Sequence, residues 1–389
     1  MRIAVVCSDL GVRVPGQKGA SLHLAAITTA FHDLGHEVLL IGVAGHGDPP
    51  SCTQSLLLDH PGRSVGLQRE QRKLAFTERL VREATPLIQC FAPEVVYERL
   101  ALFGTAGSRL ADACEAFHII EVNALVAEEE STWRGLQLRD QASAAEERAL
   151  AHADLRVAVS QEVANDVDRV APGGTTVVVP NGVDTALFAA MPTRTAAREA
   201  LAIAPDGRVV VFTGALRPWH GVDVALKALK VLPHDTSLLV AGTGEIQPDL
   251  ERLASDLGVS ERVRWLGHVP HEQMTTVLAA GDVAIAPYPP LAGFGFSPLK
   301  LYEYLAAGIP VVASNIGQVT EALADGLFGT LVEAGNACEL AVGIQVTIGD
   351  PAATTRAERA RAYALDNHGW ARRAEQILAQ LADITVGAA

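Results

Sequence analysis

Short apolar runs alternate with longer amphipathic stretches along almost the whole chain, and that alternation predicts its architecture. Residues 2–7 form a continuous apolar run of the kind found in a parallel strand buried on both faces. The loop 8–18 leads from it to a helix over 19–34, and a second strand is predicted at 38–43. A polar passage rich in Pro and Gly follows, then a basic helix over 67–89 carrying Arg69, Arg72, Lys73, Arg79 and Arg82. Further strands are expected at 93–97, 117–122, 154–159 and 176–179, separated by helical stretches. The same rhythm restarts at 208–212 and continues through 237–241, 262–266, 282–286, 309–313 and 329–332, so the second half reads as another Rossmann-like unit. Turn residues in Val179-Pro180-Asn181-Gly182-Val183-Asp184 punctuate the join. The expected division is 1–183, 184–367 and a last segment 368–389, with a helix over 371–381.

Within the second half, residues 293–314 combine a glycine-rich loop, a helix and a strand. Ser297 suits an N-cap and Pro298 the first helical position, while Gly308 and Pro310 end the helix. Leu299, Leu301, Tyr302, Leu305 and Ala306 make its buried stripe; Lys300 and Glu303 fall on another face. A lysine in the first turn opposes the helix dipole unless an anion lies in front of it. A surface Lys/Glu pair is the alternative.

Composition narrows the class. The chain has 389 residues, 49% hydrophobic and 20% charged, enough for two domains with full cores and few disordered tails. The net charge of -14 argues against a general nucleic-acid binder. Cys7, Cys52, Cys90, Cys114 and Cys338 are scattered, without C-x-x-C or zinc spacing, and read as buried thiols of a reducing compartment. The first apolar run is too short for a signal peptide or membrane span, so a cytoplasmic protein is expected. The basic 67–89 helix is read as a solvated face, with peripheral contact to an anionic membrane or acceptor as the alternative.

Doubly wound units bind ligands beyond the carboxyl ends of their strands, which directs attention to the loops 8–18, 121–123, 214–220, 242–245, 267–269 and 287–297. Gly16 and Gly19 flank Gln17 and Lys18 between the first strand and helix, where backbone amides can approach a phosphate; an ordinary loop is the alternative. Gly242-Thr243-Gly244-Glu245 begins like a dinucleotide fingerprint but has Gln247 at its third glycine position, which disfavours NAD. No P-loop and no G-x-S-x-G occurs. In the loop 214–221, Arg217 and His220 stand where a leaving diphosphate can be held. His268-Val269-Pro270-His271 has metal-like spacing, but Pro270 breaks any helix that would align the rings, so it reads as a plain loop. Asp166-Val167-Asp168 reads as a solvated face. Glu121, ending a buried strand before Val122 and Asn123, is a candidate for binding a substrate hydroxyl or acting as a base, with loop anchoring as the alternative.

Together these segments resemble family 4 of the glycosyltransferases, retaining enzymes of the GT-B fold: two Rossmann-like doubly wound domains facing each other across a cleft. The likeness is carried by Gly16 to His23, Val179 to Asp184, Gly214 to Gly221, Gly242 to Glu245, Leu266-Gly267-His268-Val269 and Phe296 to Ser314. It implies an acceptor-binding first domain, a nucleotide-sugar-binding second domain and a last helix crossing back to the first. It further implies that Glu303 binds the ribose hydroxyls and that Arg217 and His220 hold the diphosphate. The first glutamate of the family's pair falls at Gly295, eight positions before Glu303. The Ser-Pro-Leu-Lys sequence resembles a subgroup in which Lys300 compensates, with backbone amides of Phe296, Ser297 and Leu299 reaching the sugar and phosphate. Gly214, Gly244, Glu245, His268 and Val269 complete the implied donor site.

The activity implied is transfer of a hexosyl-type sugar from a UDP- or GDP-sugar to a hydroxyl acceptor, with retention and without a metal or other cofactor. The nucleotide sugar is a co-substrate, Arg217, His220 and Lys300 stabilise the departing diphosphate, and Glu121 serves the acceptor side. A sugar-nucleotide epimerase or hydrolase, and a catalytically silent sugar-nucleotide-binding protein, are the alternatives.

Overall fold

The computed structural model describes residues 1–291, 295 and 297–387, the last six of these as backbone. The chain forms two compact units. The first comprises 1–181, 295–297 and 370–389, and the second 182–294 and 298–369.

The first unit is built on an eight-stranded sheet with order β2-β3-β1-β5-β6-β7-β8 and β4 paired to β3. Its strands are β1 (Arg2–Val6), β2 (Arg13–Val14), β3 (Glu37–Ala44), β4 (Gln54–Leu58), β5 (Val95–Arg99), β6 (Phe117–Val122), β7 (Leu155–Ala158) and β8 (Thr176–Val178), all pairs parallel. Residues 3–6 are fully buried, as a strand covered on both faces requires. Ile3 and Val5 face a cluster with Leu24, Ile27 and Phe31 of the Gly19–Asp33 helix and with Ala374, Ile377 and Leu381 of the final helix. Ala4 and Val6 face Phe76, Leu80 and Ile88 of the Gly66–Phe91 helix. The final helix, Trp370–Gly387, thus completes the core of the first unit.

The second unit carries a six-stranded parallel sheet of order β11-β10-β9-β12-β13-β14. Its strands are β9 (Arg208–Thr213), β10 (Thr236–Ala241), β11 (Val263–Gly267), β12 (Val283–Ala286), β13 (Val311–Ser314) and β14 (Thr330–Val332). The order reverses between β9 and β12, so their carboxyl ends flank the switch point at which such sheets bind ligands.

Two local expectations are corrected. The helix after the glycine-rich loop spans Leu299–Ala307 with Pro298 as its N-cap residue and no side-chain cap. Ser297 does not cap it because its hydroxyl accepts from Asn181 N–H (3.1 Å) and its carbonyl from Asn181 Nδ2–H (2.6 Å). The helix is also buried almost all round, Lys300 and Tyr304 included, so Lys300 and Glu303 are not a surface pair.

Candidate active site

In the second unit, three strand-end loops are knitted together by backbone hydrogen bonds. Gly214 N–H donates to Ala241 O (2.9 Å), Leu216 N–H to Thr243 O (3.0 Å) and Gly242 N–H to Gly267 O (2.8 Å). A Cβ at Gly242 or Gly244 would collide with the carbonyl of Gly214 or Leu216, so the two glycines permit the close approach. Arg217 is held by Glu245, NH1 to Oε1 at 2.5 Å, which fixes its guanidinium over this corner.

Tyr304 fastens the Leu299–Ala307 helix beneath β9: its hydroxyl accepts from Thr213 N–H at 2.9 Å. At the end of β9, Nζ of Lys300 lies 4.2 Å from the Phe212 ring centroid and 5.5 Å from that of Tyr288. It stands 2.9 Å from where a Cβ on Gly214 would sit, so a side chain at 214 would displace it. Lys300 is 8% exposed, and among the described residues its ammonium has no hydrogen-bond acceptor. Burial pulls its pKa down to about 7, against the opposing pull of the Glu303 carboxylate.

His220 donates Nδ1–H to Ala215 O at 2.5 Å. Its own desolvation, then the neighbouring charges of Lys300 and Arg217, push its pKa down to about 3. At pH 7 the ligand-free protein therefore carries positive charge here on Arg217 and, with a pKa of about 7, on only about half of the Lys300 side chains, while His220 is neutral with a lone pair on Nε2. Glu303 accepts from Nε2–H of His271 at 3.0 Å. Burial opposes the imidazolium, but the hydrogen bond and charge of Glu303 outweigh it and raise the His271 pKa. His268 and Val269 follow β11 directly, His268 exposed and Val269 half-buried.

In the first unit, Glu121 is 3% exposed and both of its oxygens are engaged. Oε2 accepts from His23 Nε2–H (2.7 Å) and from the Tyr97 hydroxyl; Oε1 accepts from Arg99 (2.8 Å) and from Asn123 Nδ2–H. Burial alone would raise its pKa, but His23, Arg99 and Tyr97 hold it at about 2. Gly16 packs against the Arg13 carbonyl and Ser21, leaving no room for a Cβ, and Gly19 opens the first helix at an exposed position. Gly295 accepts from Ser160 Oγ–H at 2.8 Å, and a Cβ there would approach Val163 Cγ2 to 2.9 Å. Phe296 lies outside the described residues.

The second unit thus brings Gly214, Arg217, His220, Gly244, Glu245 and Lys300 together around the end of β9, with Glu303 one helical turn further on. Sequence reasoning missed His271, Tyr288 and Tyr304. The His268–His271 spacing was visible, but nothing in it pointed to a carboxylate 32 positions downstream.

Comparison with known proteins fits this arrangement. The Glycosyltransferase Family 4 model matches residues 18–187, and the Glycosyl transferases group 1 model matches residues 193–365. The chain belongs to the GT-B glycosyltransferases. A D-inositol 3-phosphate glycosyltransferase of Mycolicibacterium smegmatis is 36% identical over 208 residues, 52% of this chain and 46% of the relative. That of Mycobacterium tuberculosis strain H37Ra is 40% identical over 161 residues, 40% of this chain and 32% of the relative. The aligned segments span less than half the length of either relative. Among solved structures, sucrose-phosphate synthase from Thermosynechococcus elongatus superposes with TM-score 0.80 at 20% identity, covering 100% of this chain and 99% of that one. Anabaena HepE in complex with UDP and glucose gives 0.74 at 21% identity, covering 98% and 100%. At such identities the likeness to these two GT-B proteins concerns the fold.

Proposed function

We propose that the chain transfers a hexosyl-type sugar from a UDP- or GDP-sugar to a hydroxyl acceptor, with retention of configuration. The observation that carries this reading is the buried ammonium of Lys300, unpartnered at the switch point of the second sheet. Such a charge is costly unless an anion completes it, and a diphosphate beside Arg217 and Lys300 would do so. The names of the mycobacterial relatives support glycosyl transfer, and the UDP and glucose in the HepE complex support a nucleotide-sugar donor.

In this reading the sugar–phosphate bond breaks as positive charge builds on the sugar, and Arg217 and Lys300 stabilise the departing diphosphate. His220 is neutral in the ligand-free protein, and the negative charge of a bound diphosphate favours its taking a proton from solvent. The acceptor hydroxyl attacks from the same face and passes its proton to the leaving phosphate, so configuration is retained. Glu303 takes the ribose hydroxyls, a diol that a carboxylate matches. Glu121 holds His23, Arg99 and Asn123 in place; with both oxygens committed and its pKa at about 2, it is a poor base.

His271 is expected to position Glu303. Replacing it with Asn should raise KM for the donor about fivefold, roughly 1 kcal/mol, and leave kcat nearly unchanged, as steady-state kinetics would reveal. Because Glu303 raises the His271 pKa, that support is full below the ordinary histidine range and fades as pH rises through the raised value.

Incubation with UDP- and GDP-sugars, with and without hydroxyl acceptors, separates the readings. Transfer with retention gives a glycoside and a nucleoside diphosphate, and should persist in EDTA. A new sugar without acceptor would indicate an epimerase, and free sugar a hydrolase. Binding without turnover would indicate a silent binding protein, a reading that the glycine at position 295 favours.

A further inference from the structure

The sheet of the second unit splits at its switch point. Among the described residues, β9 and β12 pair only at Val210 with Val283 and at Val211 with Ala284. Beyond that level each strand follows its other neighbour: Phe212 and Thr213 stay with Val240 and Ala241 of β10, and Ile285 and Ala286 with Val312 and Ala313 of β13. Parting two buried parallel strands strips N–H and C=O groups of their ladder partners, and those groups must find others.

A single phenol supplies them. The Tyr304 hydroxyl accepts from Thr213 N–H (2.9 Å) and from Thr213 Oγ1–H (3.1 Å), and donates a longer bond to Ile285 O (3.4 Å). It thus bridges β9 and β12 where they have ceased to pair, and its side chain is fully buried. A phenylalanine would fill the same space, so the hydroxyl is the part that spans the split.

Lys300 stands one turn earlier on the same helix, on the face that Tyr304 shares. The strand residues on either side of Thr213 are the ones that meet its ammonium: Nζ lies 4.2 Å from the Phe212 ring centroid and 2.9 Å from the Cβ position of Gly214. Of residues 212–214, therefore, the middle one is tied to Tyr304 and the outer two set where Lys300 rests.

We propose that Tyr304 is a positioning residue for the diphosphate site: its hydroxyl holds the split between β9 and β12 and thereby fixes the Lys300 ammonium at the end of β9. The diphosphate rests on the donor reading above; the coupling of Tyr304 to Lys300 does not.

A double-mutant cycle of Tyr304→Phe and Lys300→Met tests it, read first without ligand and then with nucleotide. In thermal melts at pH 6, Lys300→Met should raise the melting temperature of the parent, and raise that of Tyr304→Phe by less than half as much, because the loosened helix already lets the ammonium reach water. In titrations with UDP and GDP, Tyr304→Phe should weaken binding about tenfold in the parent background and less than twofold in Lys300→Met. Proton uptake on binding at pH 8, which depends on Lys300 being buried, should be lost in Tyr304→Phe. A purely structural tyrosine would give equal melting increments in both backgrounds, or the same loss of affinity with and without Lys300, and either result overturns the proposal. If Tyr304→Phe does not fold, amide exchange decides: Lys300→Met should slow exchange at Thr213 at least fivefold relative to Val209 at the other end of β9, and a common change at both positions overturns the proposal. If the parent binds neither nucleotide while the melting cycle is coupled, the donor reading falls and the link between Tyr304 and Lys300 stands.

Discussion

Replacing Lys300 with Met is expected to abolish transfer while making the folded protein more stable. On the activity side, the ammonium is the closest cation to the end of β9, and its loss removes a charge that acts on the leaving diphosphate; a fall in kcat/KM of at least 100-fold, about 3 kcal/mol, is the expected scale. The stability side has the opposite sign because the ligand-free ammonium is buried without an acceptor. Its folded pKa, about 7, lies below its ordinary value of 10.5. Between those values the unfolded chain binds more protons, so this group's contribution to stability rises with pH from about 7 to 10.5, and its destabilising effect is complete below 7. Met fills a similar volume without the charge and without Lys300's pH dependence. Thermal melts at pH 6 should show the variant above the parent, with the gap closing toward pH 10. A variant that melts lower at pH 6 would mean that Lys300 stabilises the unit structurally, and the ligand-site reading would lose its physical basis.

The second large effect concerns stability alone. Glu121→Gln should cost about 3 kcal/mol, because it leaves the half-buried Arg99 without its counter-charge and turns an amide N–H toward groups that also donate. Proton linkage gives a similar size. The folded pKa is about 2 against an ordinary 4.5, and the side chain is only 4% exposed. Stability from this shift is present above 4.5 and is lost as pH falls toward 2. Acid unfolding of the parent should therefore have a limb between those values that the variant lacks. Equal stabilities at pH 7 would contradict the network described around Glu121.

The buried strands β1 and β9 were legible as near-continuous apolar runs and end one residue from expectation, and β6 falls at the expected residues although His118 and Glu121 interrupt its apolar run. β2 and β4 were not. β4 lies at the sheet edge in a polar, Pro- and Gly-rich passage, where its apolar stretch is only Leu56 to Leu58 and two of its five residues are exposed. In the candidate site, the residues near the strand ends were legible from the loop rule. Their electrostatic states were not. Lys300 reads on a helical wheel as a surface residue, and only the packing of Phe212 and Tyr288 around Nζ makes it a buried charge. The same holds for Glu121, whose donors His23, Tyr97 and Arg99 come from the first helix and β5. Tertiary contacts of that range leave no local pattern in the sequence.

The central claim is that Lys300, with Arg217 and Glu303, receives a nucleoside diphosphate in the second unit. Calorimetric titration of UDP and GDP at pH 8, in two buffers of different ionisation enthalpy, tests it most directly. A bound diphosphate would pull the Lys300 pKa up from about 7, so binding should take up close to one proton, and Lys300→Met should lose both the uptake and at least tenfold in affinity. Binding without proton uptake, equally tight in Lys300→Met, would contradict it.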